Sequence, residues 1–237
     1  MGHDGYAPSI PLFNENDASK RQVQSMIQLS KQEAMREHTS HIPYGRARRW
    51  WSDVEKDSRP SPINIFLTQK AYVRICKHAG SDLENEVGGW MVGKQRTDPN
   101  TGESFIVIEA ILPAVHTRYG SAYLTFTQDS QVAMYGIMEE RYPGKDLVGW
   151  YHTHPKMGVF LSKYDHWLHD NFFKQAWQVA LVVEPHSNVA GFFTRDPDGQ
   201  LDTRYYYGFH EINNGQNRSV VHWRNMSSKP LSDVEGG

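Results

Sequence analysis

Cysteine is almost missing from the 237 residues: Cys76 stands alone. A single thiol closes no internal disulfide and excludes a cysteine-built zinc site, so a reducing cytoplasm is the expected setting. Long apolar runs are missing too. No stretch approaches the roughly 20 residues that a bilayer-spanning helix requires, so no membrane partner is expected. The opening MGHDGYAPSIPLF has neither the basic start nor the apolar stretch of a secretory signal. Charge of one sign is also scarce, because 25 Lys and Arg face 27 Asp and Glu for a formal net of −2. That balance excludes the basic footprint of nucleic-acid binding, and no nucleic-acid partner is expected. Histidine, by contrast, is plentiful at 12 residues, which raises the question of metal-ligand spacing.

Three parts can be read along the chain. Residues 1–62 form an extension: an irregular start, a helix from about Asp17 to Arg36, then a loop carrying the basic and aromatic cluster Arg46, Arg48, Arg49, Trp50 and Trp51. The tryptophans are expected to pack the extension onto the main domain. Residues 63–210 alternate strands and helices. Strands are expected at 63–67, 86–95, 104–113, 147–154, 177–185 and 203–209, and helices at 68–78, 128–142 and 162–174. This order predicts an α/β (α+β mixed) domain, a mixed β-sheet flanked by helices. Residues 211–237 read as a flexible tail.

The sharpest motif is His152-Thr153-His154-Pro155, followed by Ser162 and Asp165. Two histidines at i and i+2 of a strand point to one face. Pro155 ends the strand, six residues turn the chain, and Asp165 on the next helix brings a carboxylate back toward the imidazoles. Two histidines and one carboxylate leave a tetrahedral Zn²⁺ one open position for water, as in catalytic sites. One Zn²⁺ per chain is therefore expected, held by His152, His154 and Asp165. Taken singly, the His pair and the Ser-x-x-Asp capping box are weak signals. Joined at these gaps they are strong. His169 shares the helical face of Asp165 and is expected to pack ordinarily, with support of the ligand as the lesser alternative.

The segment HTHPKMGVFLSKYD resembles the JAMM (MPN+, Mov34/PAD-1-like) metallopeptidase family, and its flanks GWYHTHP and WQVALVVEP look like the zinc isopeptidases of the proteasome lid and the signalosome. Upstream, Glu86-Val87-Gly88-Gly89 is similar to the family's Glu-x-x-Gly segment. The resemblance covers about residues 63–208 and implies a cytidine-deaminase-like MPN/JAMM fold. It also implies that Glu86 is the general base and that Ser162 helps stabilise the oxyanion. On residue type alone Glu86 reads as a surface carboxylate after DLENE, and Glu84 competes with it.

By the same resemblance, the substrate would be an isopeptide or peptide bond after the Gly-Gly tail of ubiquitin or a ubiquitin-like protein. The loop 111–127 sits where relatives clamp such a tail. A second insertion is missing between Lys174 and Trp177, which puts recognition of a proximal ubiquitin in doubt and fits a bacterial deubiquitinase-like type. Activating and conjugating enzymes of a shared operon are further expected partners. Two alternatives stay open: a zinc hydrolase of another substrate, such as a sulfur-carrier adduct, and a non-catalytic MPN scaffold. The final Gly236-Gly237 reads more readily as a chance end than as a product-like tail.

Overall fold

A computed structural model describes residues 39–114, 128–213, 215 and 218–228. The expected helix at 17–36, nearly all of the 111–127 loop and the terminal Gly236-Gly237 lie outside them. The chain divides into two units, Met1–Thr39 and Ser40–Gly237, and the elements below belong to the second. In chain order they are β1 (Ala47–Ser52), β2 (Asn64–Thr68), α1 (Gln69–Ala79), β3 (Gly88–Thr97), β4 (Ser104–Pro113), α2 (Gln128–Arg141), β5 (Asp146–Thr153), α3 (Lys163–Phe172), β6 (Val179–Glu184), β7 (Val189–Phe193), β8 (Phe209–Ile212) and β9 (Met226–Ser227). The sheet runs β7-β6-β5-β3-β4-β2-β8-β1-β9. It is mixed, as expected: β2 pairs in parallel with β4 and β8, and β5 with β6, while the other neighbours are antiparallel.

Both faces of the central strands are buried, which is why β6 reads as an unbroken apolar run. Val179, Leu181 and Val183 enter one core with Ala71, Tyr72 and Ile75 of α1. Ala180 and Val182 enter the other with Trp150, with Leu168 of α3 and with Phe173 just beyond it. Thr68 starts α1 by accepting the Ala71 N–H on its Oγ1, which satisfies one of the amides left unpaired at a helix start. Gly149 lets β5 approach β6 closely. A Cβ there would lie 2.0 Å from the Val179 carbonyl oxygen, and the β3–β5 register shifts beside it.

Three expectations are corrected. The 46–51 cluster is not a loop, because Ala47–Ser52 is a strand pairing with β8 and β9. Arg49 pairs with Glu55 there, and Trp50 Nε1 donates to the buried Glu211 carboxylate at 3.1 Å. Glu211 and the paired strands β8 and β9 lie more than 150 residues away, so nothing local announced this strand. The expected strand at 203–209 is instead mostly irregular. Asp202 Oδ1 accepts the Arg204 and Tyr205 amides, and regular pairing starts only at Phe209. Finally, the tail beyond residue 211 is in part structured. Trp223 and Met226 are buried and β9 pairs with β1, because an indole and a thioether gain more from the core than the chain loses in freedom. β7 was missed, since Asn188 in a left-handed turn (φ 56°) folds it straight back onto β6.

Candidate metal centre

β5 carries His152 next to its last residue, and His154 follows directly, with its N–H donating to Val183 O at 2.9 Å. Pro155 supplies no N–H, and Lys156 (φ 62°) and Gly158 (φ 87°) turn the chain away. Glu184, at the end of β6, holds this turn. Its carboxylate accepts the amides of Lys156 (3.1 Å), His186 (2.8 Å) and Ser187 (2.8 Å). Burial pushes its pKa up, but these bonds and the Ser187 hydroxyl outweigh burial and hold it well below the glutamate range. Ser162 then starts α3. Its Oγ accepts the Asp165 N–H at 3.1 Å and its own N–H donates to Asp165 Oδ2 at 2.7 Å, a reciprocal capping box.

These local features bring the expected ligands together. His152, His154 and Asp165 are buried, and one ligand atom from each lies within 4.8 Å of the others. The two Nε2 atoms are 2.9 Å apart, His152 Nε2 is 3.4 Å from Asp165 Oδ1, and His154 Nε2 is 3.6 Å from Asp165 Oδ2. Burial raises the Asp165 pKa, yet the His152 charge and hydrogen bonds from His152, His154 and Ser162 hold it well below the usual carboxylate range. Both Nδ1 atoms are buried without a hydrogen-bond partner among the described residues, so it is the Nε2 edges that face the carboxylate. Two imidazole nitrogens turned toward one carboxylate in a buried pocket are a donor set that fits a cation such as Zn²⁺.

Geometry also separates the two competing glutamates. The Glu86 side chain is 7 % exposed and its Oε1 lies 4.0 Å from His154 Nε2. Glu84 is 74 % exposed and pairs with Lys156 at 3.0 Å. His166 sits at the surface, 3.7 Å from Asp170. His169 is fully buried, its Nδ1 accepts the Trp150 indole N–H at 3.1 Å, and burial first, then Arg195, lowers its pKa to about 3. The sequence reading missed Trp150, Thr153 and Glu184, although Trp150 could have been found as the residue two before His152 on the same strand face. A cavity of about 720 Å³ is lined by Tyr142, Lys145, Asp146 and Trp177 at the opposite end of β5. At about 3.3 Å per residue that is roughly 20 Å from His152, so it takes no part in this centre.

Residues 60–177 match the family model described as JAB1/Mov34/MPN/PAD-1 ubiquitin protease. The chain belongs to the JAB/MPN family. Among curated relatives it is 26 % identical to ubiquitin carboxyl-terminal hydrolase RPN11 of Saccharomyces cerevisiae, over 59 % of this chain and 44 % of that protein. It is 27 % identical to COP9 signalosome complex subunit 5 of Candida albicans, over 81 % of this chain and 31 % of that one. A shorter stretch of 70 residues is 38 % identical to the NAD(+) hydrolase TcpA of a Theionarchaea archaeon, 29 % of this chain and 21 % of that protein. The JAB/MPN chain thus spans less than half the length of these relatives. No helix among its described residues is long and apolar enough to cross a membrane.

Proposed function

We propose that this JAB/MPN protein is a zinc-dependent peptidase that hydrolyses the isopeptide or peptide bond after the Gly-Gly tail of ubiquitin or a ubiquitin-like modifier, in a cytoplasmic setting. The observation that carries the reading is the buried convergence of two imidazole Nε2 atoms and one carboxylate beside a second, nearly buried carboxylate. His152, His154 and Asp165 would hold the ion. Zn²⁺ bound there supplies Lewis acidity toward the scissile carbonyl and lowers the pKa of a water to about 7. Glu86 takes the proton that water loses on attack and returns it to the leaving amine, a role suited to a carboxylate beside the ligands but outside their set. Ser162 Oγ already accepts the Asp165 N–H, which leaves its O–H to donate to the developing oxyanion.

The substrate class is supported by the family description and by the names of relatives such as RPN11. A free modifier, its conjugates, and activating and conjugating enzymes are the partners this chemistry implies. The test combines zinc analysis of the purified protein with hydrolysis of ubiquitin bearing a C-terminal coumarin amide and of isopeptide-linked diubiquitin. Stoichiometric zinc with chelator-sensitive cleavage is the expected result. A protein that takes up no zinc would be a scaffold, and one that takes it up but cleaves neither probe would be a hydrolase of a different substrate.

A further inference from the structure

A histidine that ligates a metal is ordinarily oriented by a hydrogen bond from its other ring nitrogen, and losing that bond costs about 10- to 100-fold in metal affinity. His152 Nδ1 has no such partner among the described residues. Its ring is held by another device. The indole of Trp150, two residues earlier on the same face of β5, lies against the imidazole with centroids 4.6 Å apart and planes 8° from parallel. An indole can still turn about its side-chain bonds, but here its single N–H is tied to His169 Nδ1 at 3.1 Å, and both residues are completely buried.

His169 stands one helical turn after Asp165 on α3, so the helix that presents the carboxylate also fixes the indole. The far end of that helix is anchored in turn. Arg195 donates to the carbonyls of His169 and Phe173 at 3.5 and 3.4 Å and pairs with Asp170 at 2.8 Å. The Phe173 ring lies nearly parallel to Trp150, at 19°, and to His169, at 21°. The strand that leads into the two histidines and the helix that carries Asp165 are thereby registered to each other by one hydrogen bond and one stacked face.

We propose that Trp150 and His169 are positioning residues for the metal centre: His169 locks the Trp150 indole, and the indole sets the plane of the His152 imidazole, whose Nδ1 takes no hydrogen bond from the described residues. This rests on the zinc reading above. A role in packing alone is the competing account, and it makes different predictions, because packing tolerates exchanges of similar shape that a hydrogen bond does not.

The experiment titrates zinc into metal-stripped protein against a chromophoric chelator, using Trp150→Phe, His169→Leu, His169→Gln and the Trp150→Phe/His169→Leu double variant. Phe keeps the aromatic face but not the N–H, and Leu keeps volume but not the acceptor. Both single variants should bind zinc about 10- to 100-fold more weakly. Gln offers Oε1 to the indole proton and should recover most of the loss. The double variant should lose no more than either single, since both break the same bond. The visible absorption of the Co²⁺-substituted protein should shift in the same variants, which altered stability by itself would not cause. Unchanged zinc affinity in Trp150→Phe and His169→Leu, with only melting temperature lowered, overturns the proposal. Should a variant fail to fold, the assigned Trp150 Nε1–H resonance of the unsubstituted protein decides: it should resist hydrogen exchange and move on zinc addition, and a rapidly exchanging, unmoved signal overturns the proposal. An Asp165→Ala protein that still binds zinc tightly would instead remove the zinc reading underneath, a separate failure.

Discussion

Val87 and Thr153 are joined twice: the Val87 N–H donates to Thr153 Oγ1 at 2.9 Å, and the Thr153 N–H donates to Val87 O at 2.8 Å. Thr153 lies between the two histidines of the centre and Val87 follows Glu86. The pair of bonds therefore extends the β3–β5 pairing, in which Gly88 faces His152, by the one step that delivers Glu86 to His154. A side-chain hydroxyl and a backbone amide, rather than strand pairing alone, set where the proposed base stands.

Replacing Thr153 by Val keeps the shape and removes the acceptor. Zinc content should stay at the unsubstituted level while turnover falls by about 10- to 100-fold, the scale of a displaced catalytic group. Parallel zinc analysis and coumarin-release assays read this, and loss of zinc together with activity would show that Thr153 supports the ligands instead.

Glu86→Gln should retain zinc and lose about 10²- to 10⁴-fold in hydrolysis, the usual worth of a general base. Glu84→Gln, exposed and paired with Lys156, should lose little. Equal losses in the two variants would remove the role given to Glu86.

Asp165→Ala leaves two imidazoles, too few for a tight site. The prediction is a protein that emerges from dialysis without zinc and that no longer loses melting temperature on addition of a chelator, in contrast to the unsubstituted chain. Retention of stoichiometric zinc counts against the ligand assignment.

Ser162→Ala tests two roles in one residue. Loss of the cap should lower unfolding free energy by about 1 kcal/mol, and loss of an oxyanion donor should lower turnover by about 10²- to 10³-fold. Denaturant melts and steady-state rates separate them. Near-normal turnover in a destabilised variant would leave capping as the whole function.

Two histidines tie stability to pH. Burial, then the Arg49 charge, lowers the His210 pKa to about 3, and burial, then Arg195, lowers that of His169 equally. The unfolded chain, with imidazoles near 6.5, takes up protons that the folded one refuses. Stability is thus complete above about pH 6.5 and falls as pH drops toward 3, by up to about 1.4 kcal/mol per pH unit for each group. His210 stacks on Phe66 at 4.7 Å, so His210→Phe is a fitting replacement. Denaturant melts in chelator at pH 6.5 and 4.5 should show a smaller drop for this variant, and an equal drop would mean that His210 does not titrate in this window.

The proposed metal ligands were legible in the sequence because their arrangement is nearly local. Period two along a strand puts His152 and His154 on one face, a proline ends it, and a capping serine starts the helix that returns Asp165. Helix α1 and the β3–β4 hairpin were legible for the same reason. Tertiary structure decided what local pattern leaves open. The residue types alone left Glu86 and Glu84 in competition and only the resemblance favoured Glu86; its place beside His154 depends on strand register and on a bond from the Val87 amide to Thr153 spanning 66 residues. The Trp150–His169 bond spans 19 residues, and the Trp50–Glu211 bond that ties β1 into the sheet spans 161. Side chains such as these show no periodicity that announces their partners. Trp50 and His169 find theirs because burying both faces of the sheet brings distant segments into one core, where an indole or carboxylate taken out of water is stabilised by the polar neighbour the fold supplies.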